Sequence, residues 1–161
     1  MTLIETAIKA PDFVLKDQNG KPQRLYGFRG SYVLLYFYPK DETPGCTKEA
    51  CAIRDEFANF KRNKIKIFGI SADSIESHRN FAKNHNLPFT LLSDTGRKVI
   101  KSYGAQDIEG NTLRVSILIG KNGDIIKTYP KVDPASHAKQ ILDDFREIEN
   151  SPDKGENNFG R

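Results

Sequence analysis

Cys46 and Cys51 are the two cysteines of a 161-residue chain, five residues apart in Thr43-Pro-Gly-Cys46-Thr-Lys-Glu-Ala-Cys51. Sulfur reacts as the thiolate, and a thiolate is favoured at a helix start, where the first amides lack internal partners and the peptide dipoles attract negative charge. The flanking sequence supplies such a start. Tyr32 to Tyr38 is a continuous aromatic and aliphatic run closed by Pro39, and it reads as a buried strand. Past the Pro44-Gly45 turn, Ala50, Ile53, Phe57 and Phe60 recur at helical spacing, with Lys48, Glu49, Arg54, Asp55 and Lys61 off the stripe. Cys46 therefore falls where a strand has ended and a helix begins.

The elements around this junction follow in order. Pro11 to Asp17 leads through Asn19-Gly20, a hairpin signal, to a return strand beginning at Arg24-Leu25. After the cysteine helix, Lys64 to Ser71 is a second apolar strand. Asp73 or Ser74 caps a helix whose Ile75, His78, Phe81 and Ala82 share one face, and Leu87-Pro88 stops it. Phe89 to Leu92 is a short strand, and Gly96 to Tyr103 a helix closed by Gly104. Arg114 to Ile119 and Asp124 to Tyr129 flank Lys121-Asn122-Gly123 as a further hairpin. Pro134 opens a last helix with Ala138, Ile141, Leu142, Phe145 and Ile148 on its stripe. Strands alternating with helices, finished by a hairpin and a helix, predict a three-layer α/β/α fold on a mixed sheet. The order resembles a thioredoxin-like fold with an N-terminal β-hairpin extension. A single domain over 1–149 and a disordered polar tail over 150–161 are expected.

Composition narrows the function classes. With 37% hydrophobic and 29% charged residues the chain reads as an ordinary globular domain. The longest apolar run, Tyr32 to Tyr38, is strand-sized, so no membrane span is expected. The net charge of +4 is spread among carboxylates without an aromatic-interleaved basic stripe, which argues against nucleic acid. Met1-Thr-Leu-Ile-Glu-Thr lacks the features of a secretory signal, and a cytoplasmic location is expected. His78, His85 and His137 read as scattered surface or helix-face residues. With a Cys-x4-Cys pair they make no recognisable zinc set. Gly104 and Gly110 form no phosphate-cradling loop.

Pro39-Lys-Asp-Glu-Thr43-Pro-Gly-Cys46 fits the Pro-x-x-x-Thr/Ser-x-x-Cys signature, and its continuation to Cys51 resembles the bacterioferritin comigratory protein, or peroxiredoxin Q, subgroup of the peroxiredoxins. Phe68 to Asp73, Phe89 to Asp94 and Arg114 to Ile119 extend the resemblance, which runs from about Ala10 to Phe145. Ala105 to Leu113 is shorter than the Trp-Gly-bearing loop of many such proteins.

The resemblance implies a thiol peroxidase for hydrogen peroxide and organic hydroperoxides, with Cys46 peroxidatic and Cys51 resolving in the same chain. A thioredoxin-like dithiol would recycle it, no metal, haem or flavin would be needed, and the subgroup suggests a monomer. The roles make chemical sense. The Thr43 hydroxyl can accept from a hydroperoxide proton and donate to sulfur or oxygen. Pro39, without an N–H, fixes the chain leaving the strand and is placed to screen the pocket from water. Arg114 is permanently charged and offers a fork of donors to the thiolate and to charge developing on oxygen. Glu49 is placed to orient Arg114. Singly, each has a plainer reading as a buried small residue, a cap or a solvated charge; jointly those readings give no reason for the spacings. Two rival classes are a general thiol-disulfide oxidoreductase, which usually carries Cys-x-x-Cys, and a non-catalytic binding or chaperone module on the same fold.

Overall fold

The computed structural model of the protein describes residues 2–150; of the tail expected over 150–161, all but Asn150 lies outside them. The order is β1 (Val14–Asp17), β2 (Pro22–Arg24), a 3₁₀ turn (Leu25–Phe28), β3 (Tyr32–Phe37), α1 (Pro44–Asp55), α2 (Phe57–Arg62), β4 (Ile65–Ser71), α3 (Ile75–His85), β5 (Thr90–Ser93), α4 (Lys98–Ser102), β6 (Val115–Ile119), β7 (Ile125–Tyr129) and α5 (His137–Glu149). The strands form one sheet in the order β2-β1-β5-β4-β3-β6-β7. β3, β4 and β5 run parallel, while β1 joins β5, β6 joins β3 and β7 joins β6 antiparallel.

β3 is the axis of the core because its residues are buried on both faces, as an apolar run without alternation requires. Tyr32, Leu34 and Tyr36 face a cluster with Ala50, Ile53, Phe60, Phe81, Ile141 and Phe145, so α1, α2, α3 and α5 cover this side. Val33, Leu35 and Phe37 face the other cluster, which α4, the 3₁₀ turn and the N-terminal segment close through Ile100, Leu25 and Phe13. Three layers are present, and the second outer layer is thin.

Three boundaries differ from the sequence pattern. Leu25 belongs to a 3₁₀ turn and not to the return strand; Asp12 Oδ1 accepts the Tyr26 N–H there at 2.9 Å. The helix expected over 96–103 is confined to Lys98–Ser102 because Arg97 stands at its start with φ 61°. The cysteine helix is divided at Glu56 (φ −103°, ψ 8°), although Phe60 beyond the break continues the buried stripe. Ser74 is the cap of α3, its hydroxyl accepting the Ser77 N–H at 3.1 Å.

Candidate active site

β3 ends at Phe37, and Tyr38 to Thr43 lead over the ends of the parallel strands into α1. Thr43 is the N-cap and Pro44 the first helical residue, where a missing N–H leaves no bond unmade. Cys46 thus lies in the first turn, among the amides without intrahelical acceptors. It is buried, at 1% exposure, and Cys51 is half-buried on the same continuous helix. Both are free thiols.

Sheet pairing delivers the arginine. Val115 at the start of β6 pairs with Phe37 at the end of β3, so Arg114 stands beside the loop that leads to Cys46. Its Nη2 donates to Cys46 Sγ at 3.4 Å and its Nη1 to Glu49 Oε1 at 2.8 Å. Gly45 leaves room for this: a Cβ there would sit 2.9 Å from Arg114 Nη2. Upstream, Ala105 to Leu113 folds as a small hairpin in which Asp107 Oδ1 accepts the N–H groups of Glu109 and Asn111. Arg97 braces it through Gln106 and Thr112. The orienting role expected of Glu49 has its geometry here.

The electrostatics of the pair are uneven. Glu49 is wholly buried and only one of its oxygens is hydrogen-bonded; Oε2 has no partner. Burial pushes its pKa from 4.5 up to about 7, and the contact with Arg114 opposes the shift without cancelling it. Burial lowers Arg114, but its contacts with Glu49 and Cys46 prevail and leave its pKa raised, so the guanidinium stays charged. The cost of the buried pair therefore falls on the carboxylate. The folded state holds the Glu49 proton between pH 4.5 and about 7 while the unfolded state has released it, so stability falls as pH rises through that window. Glu49→Gln should remove this slope. The variant should gain stability over the parent between pH 5 and pH 8, on the order of 3 kcal/mol in all. Denaturant unfolding at the two pH values checks it; a pH-independent difference would mean that Glu49 stays ionised throughout.

Two predicted site residues behave differently from their assignment. The Thr43 hydroxyl donates to the Lys40 carbonyl at 2.8 Å, so in this state it is free to accept but not to donate to sulfur. It makes no capping bond either. Pro39 is exposed to solvent just past the end of β3, whereas a screen over the pocket would be expected to be covered itself.

The histidines also differ. His78 and His137 are fully buried, and only His85 of the three is partly exposed, against Glu42. His137 Nε2 lies 2.8 Å from Ser116 Oγ, and burial lowers its pKa. His78 Nδ1 lies 2.7 Å from Asp41 Oδ2. Among the described residues, Asp41, Asp73 and His78 bring ligand-type atoms within 4.8 Å of one another. Their facing oxygens already receive Tyr38, Ser71 and Ser77 hydroxyls and the Asp41 amide, an arrangement that suits a hydrogen-bond network and not a cation. Asp41 and His78 were not singled out as site residues by the sequence pattern; the sole cue was a histidine on the apolar face of its helix.

Residues 7–128 match the AhpC/TSA family. The chain is 48% identical over 135 residues to the chloroplastic peroxiredoxin Q of Sedum lineare, covering 82% of this chain and 73% of that protein. Six further plant relatives are longer, and the chain spans 62–63% of their length. It is 40% identical over 147 residues to the putative peroxiredoxin bcp of Coxiella burnetii, covering 86% of this chain and 97% of that one. Among solved structures, the Xanthomonas campestris bacterioferritin comigratory protein, described for its alkyl peroxide reduction activity, superposes with a TM-score of 0.81 at 27% identity, over 88% of this chain and 98% of that chain.

Proposed function

Because this chain belongs to the AhpC/TSA family, as a thiol peroxidase of the peroxiredoxin Q and bacterioferritin comigratory group, we propose that Cys46 is the thiolate that reduces peroxide and Cys51 the thiol that resolves the product. The observation that carries this reading is the Arg114 fork, one nitrogen on Cys46 Sγ and the other on buried Glu49. A guanidinium held in that way stabilises the thiolate before attack and faces the charge that develops on oxygen during it.

The thiolate attacks the terminal oxygen of a hydroperoxide and the O–O bond breaks. Sulfur keeps the hydroxyl as sulfenic acid, and the second oxygen leaves as alkoxide or hydroxide, taking a solvent proton to become alcohol or water. Thr43, its own proton committed to Lys40, receives the hydroperoxide O–H and orients it. The Cys51 thiol then attacks the sulfenic sulfur; the S–S bond forms and the hydroxyl departs with the thiol proton as water. An external dithiol of the thioredoxin type reduces that disulfide by exchange. Both sulfurs lie on one helix, so resolution needs no second copy, which supports action as a monomer. A reducing compartment such as the cytoplasm suits two free thiols. Among the described residues no helix is long and apolar enough to cross a membrane.

The helix must open for the second step. Five residues of intact helix rise about 7.5 Å and turn through about 140°, leaving the two Cα atoms roughly 8 to 9 Å apart with diverging side chains. A disulfide needs about 4.4 to 6.8 Å and facing Cβ atoms. Oxidation with one equivalent of peroxide should remove two hydrogens from the intact mass and lower amide protection over residues 47–53. A gain of one oxygen would place resolution in another molecule, and unchanged protection beside a confirmed intramolecular bond would contradict the unwinding.

A further inference from the structure

We infer that His78 is a positioning residue for peroxide attack, holding through Asp41 the loop from which the Thr43 hydroxyl is hung. The inference rests on the roles proposed above for Thr43 and Cys46. Asp41 lies two residues before Thr43, and its side chain is 2% exposed. Its Oδ2 receives His78 Nδ1 at 2.7 Å and the Ser77 hydroxyl at 2.7 Å, and its Oδ1 the Tyr38 hydroxyl at 2.6 Å. On the other side of the ring, His78 Nε2 lies 3.0 Å from the Leu92 carbonyl. A carbonyl cannot donate, so Nε2 carries a hydrogen; Asp41 Oδ2 is also an acceptor, so a second proton lies between it and Nδ1. The ring thus ties β5 to the loop by two opposed hydrogen bonds, which a side-chain amide of similar size cannot reproduce.

The link from this clamp to chemistry is a single peptide unit. The N–H of Asp41 donates to Asp73 Oδ2 at 2.9 Å, and the carbonyl of the same rigid peptide, on Lys40, accepts the Thr43 hydroxyl at 2.8 Å. Asp73 Oδ2 is held in turn by the Ser71 hydroxyl at 2.6 Å. A tilt of that peptide therefore moves the Thr43 hydroxyl. His78 and Asp73 fix the plane from its Asp41 side, and Thr43 reads its orientation from the Lys40 side.

A double-mutant cycle with Thr43 tests the coupling, using the rate of peroxide attack in a single turnover of the reduced full-length protein. His78→Asn should slow attack about tenfold, the scale of a disrupted buried hydrogen-bond network. In a Thr43→Val background the same change should slow it less than about twofold, because the group it positions is gone. The later disulfide-forming step should keep its rate in His78→Asn, whereas general loosening of the fold would slow both. Parent-like attack in His78→Asn, or losses that multiply in the double variant, would overturn the inference while leaving the peroxidase reading intact. Parent-like attack in Thr43→Val would remove the role of Thr43 and the inference with it. Should His78→Asn fail to fold, Ser77→Ala withdraws another donor from the same oxygen and enters the cycle with the same signs.

Discussion

Cys46→Ser should consume no peroxide at all, while Cys51→Ser should consume one equivalent and stop. The asymmetry follows from position on one helix. Cys46 is in the first turn with the Arg114 nitrogen 3.4 Å from its sulfur, whereas Cys51 is half-buried further along, past the turn where the helix end favours negative charge. A hydroxyl at 46 offers no nucleophile of comparable reactivity at neutral pH. In Cys51→Ser the first step is untouched and the sulfenic acid has no thiol to meet, so a sulfenic-acid reagent should label one site per chain. Peroxide remaining after stoichiometric mixing, read beside that label, decides the matter. Equal loss of the first turnover in both variants would exchange or merge the two roles.

Arg114→Leu should slow the first step by about two to three orders of magnitude, the range seen when one preorganised donor is removed from a reacting centre. Two contacts vanish together. Cys46 loses its guanidinium donor, and Glu49 loses the one group bonded to its carboxylate while remaining wholly buried. Protonated, the carboxyl is tolerated in the vacated site, so the fold survives near neutral pH while the chemistry does not. Arg114→Lys should recover part of the rate, since charge returns without a fork to span Glu49 and Cys46. Stopped-flow rates of peroxide attack, set beside thermal midpoints, separate the two effects. A rate unchanged in Arg114→Leu would mean that the contact at 3.4 Å does no catalysis.

The strand-to-helix junction around Cys46 was legible in the sequence because its signals are local: an apolar run, a Pro-Gly turn and a stripe of helical period. Arg114 was legible as a strand-end cation, and pairing of β6 with β3 gives that position its meaning. What could not be read depends on partners far along the chain. His78 meets Asp41 across 37 residues and His137 meets Ser116 across 21, so both read as surface or helix-face residues until the partner is in place. The capture of the Thr43 hydroxyl is set by a single backbone carbonyl, that of Lys40, which no residue type announces.

The division of the cysteine helix at Glu56 would confine to α1 the unwinding proposed for turnover. The Glu56 N–H reaches back to the Ile53 carbonyl, and the amides of Asn59 and Phe60 start afresh from the carbonyl of Glu56. Helix cooperativity travels along an unbroken ladder, and a new segment must pass its own nucleation barrier. Melting that begins at Cys46 therefore has a natural terminus at Asp55, the last residue of α1. α2, with Phe60 buried beside Ile65 and Ile67 of β4, would then stay in place as a wall for α1 to rewind against once the disulfide is reduced.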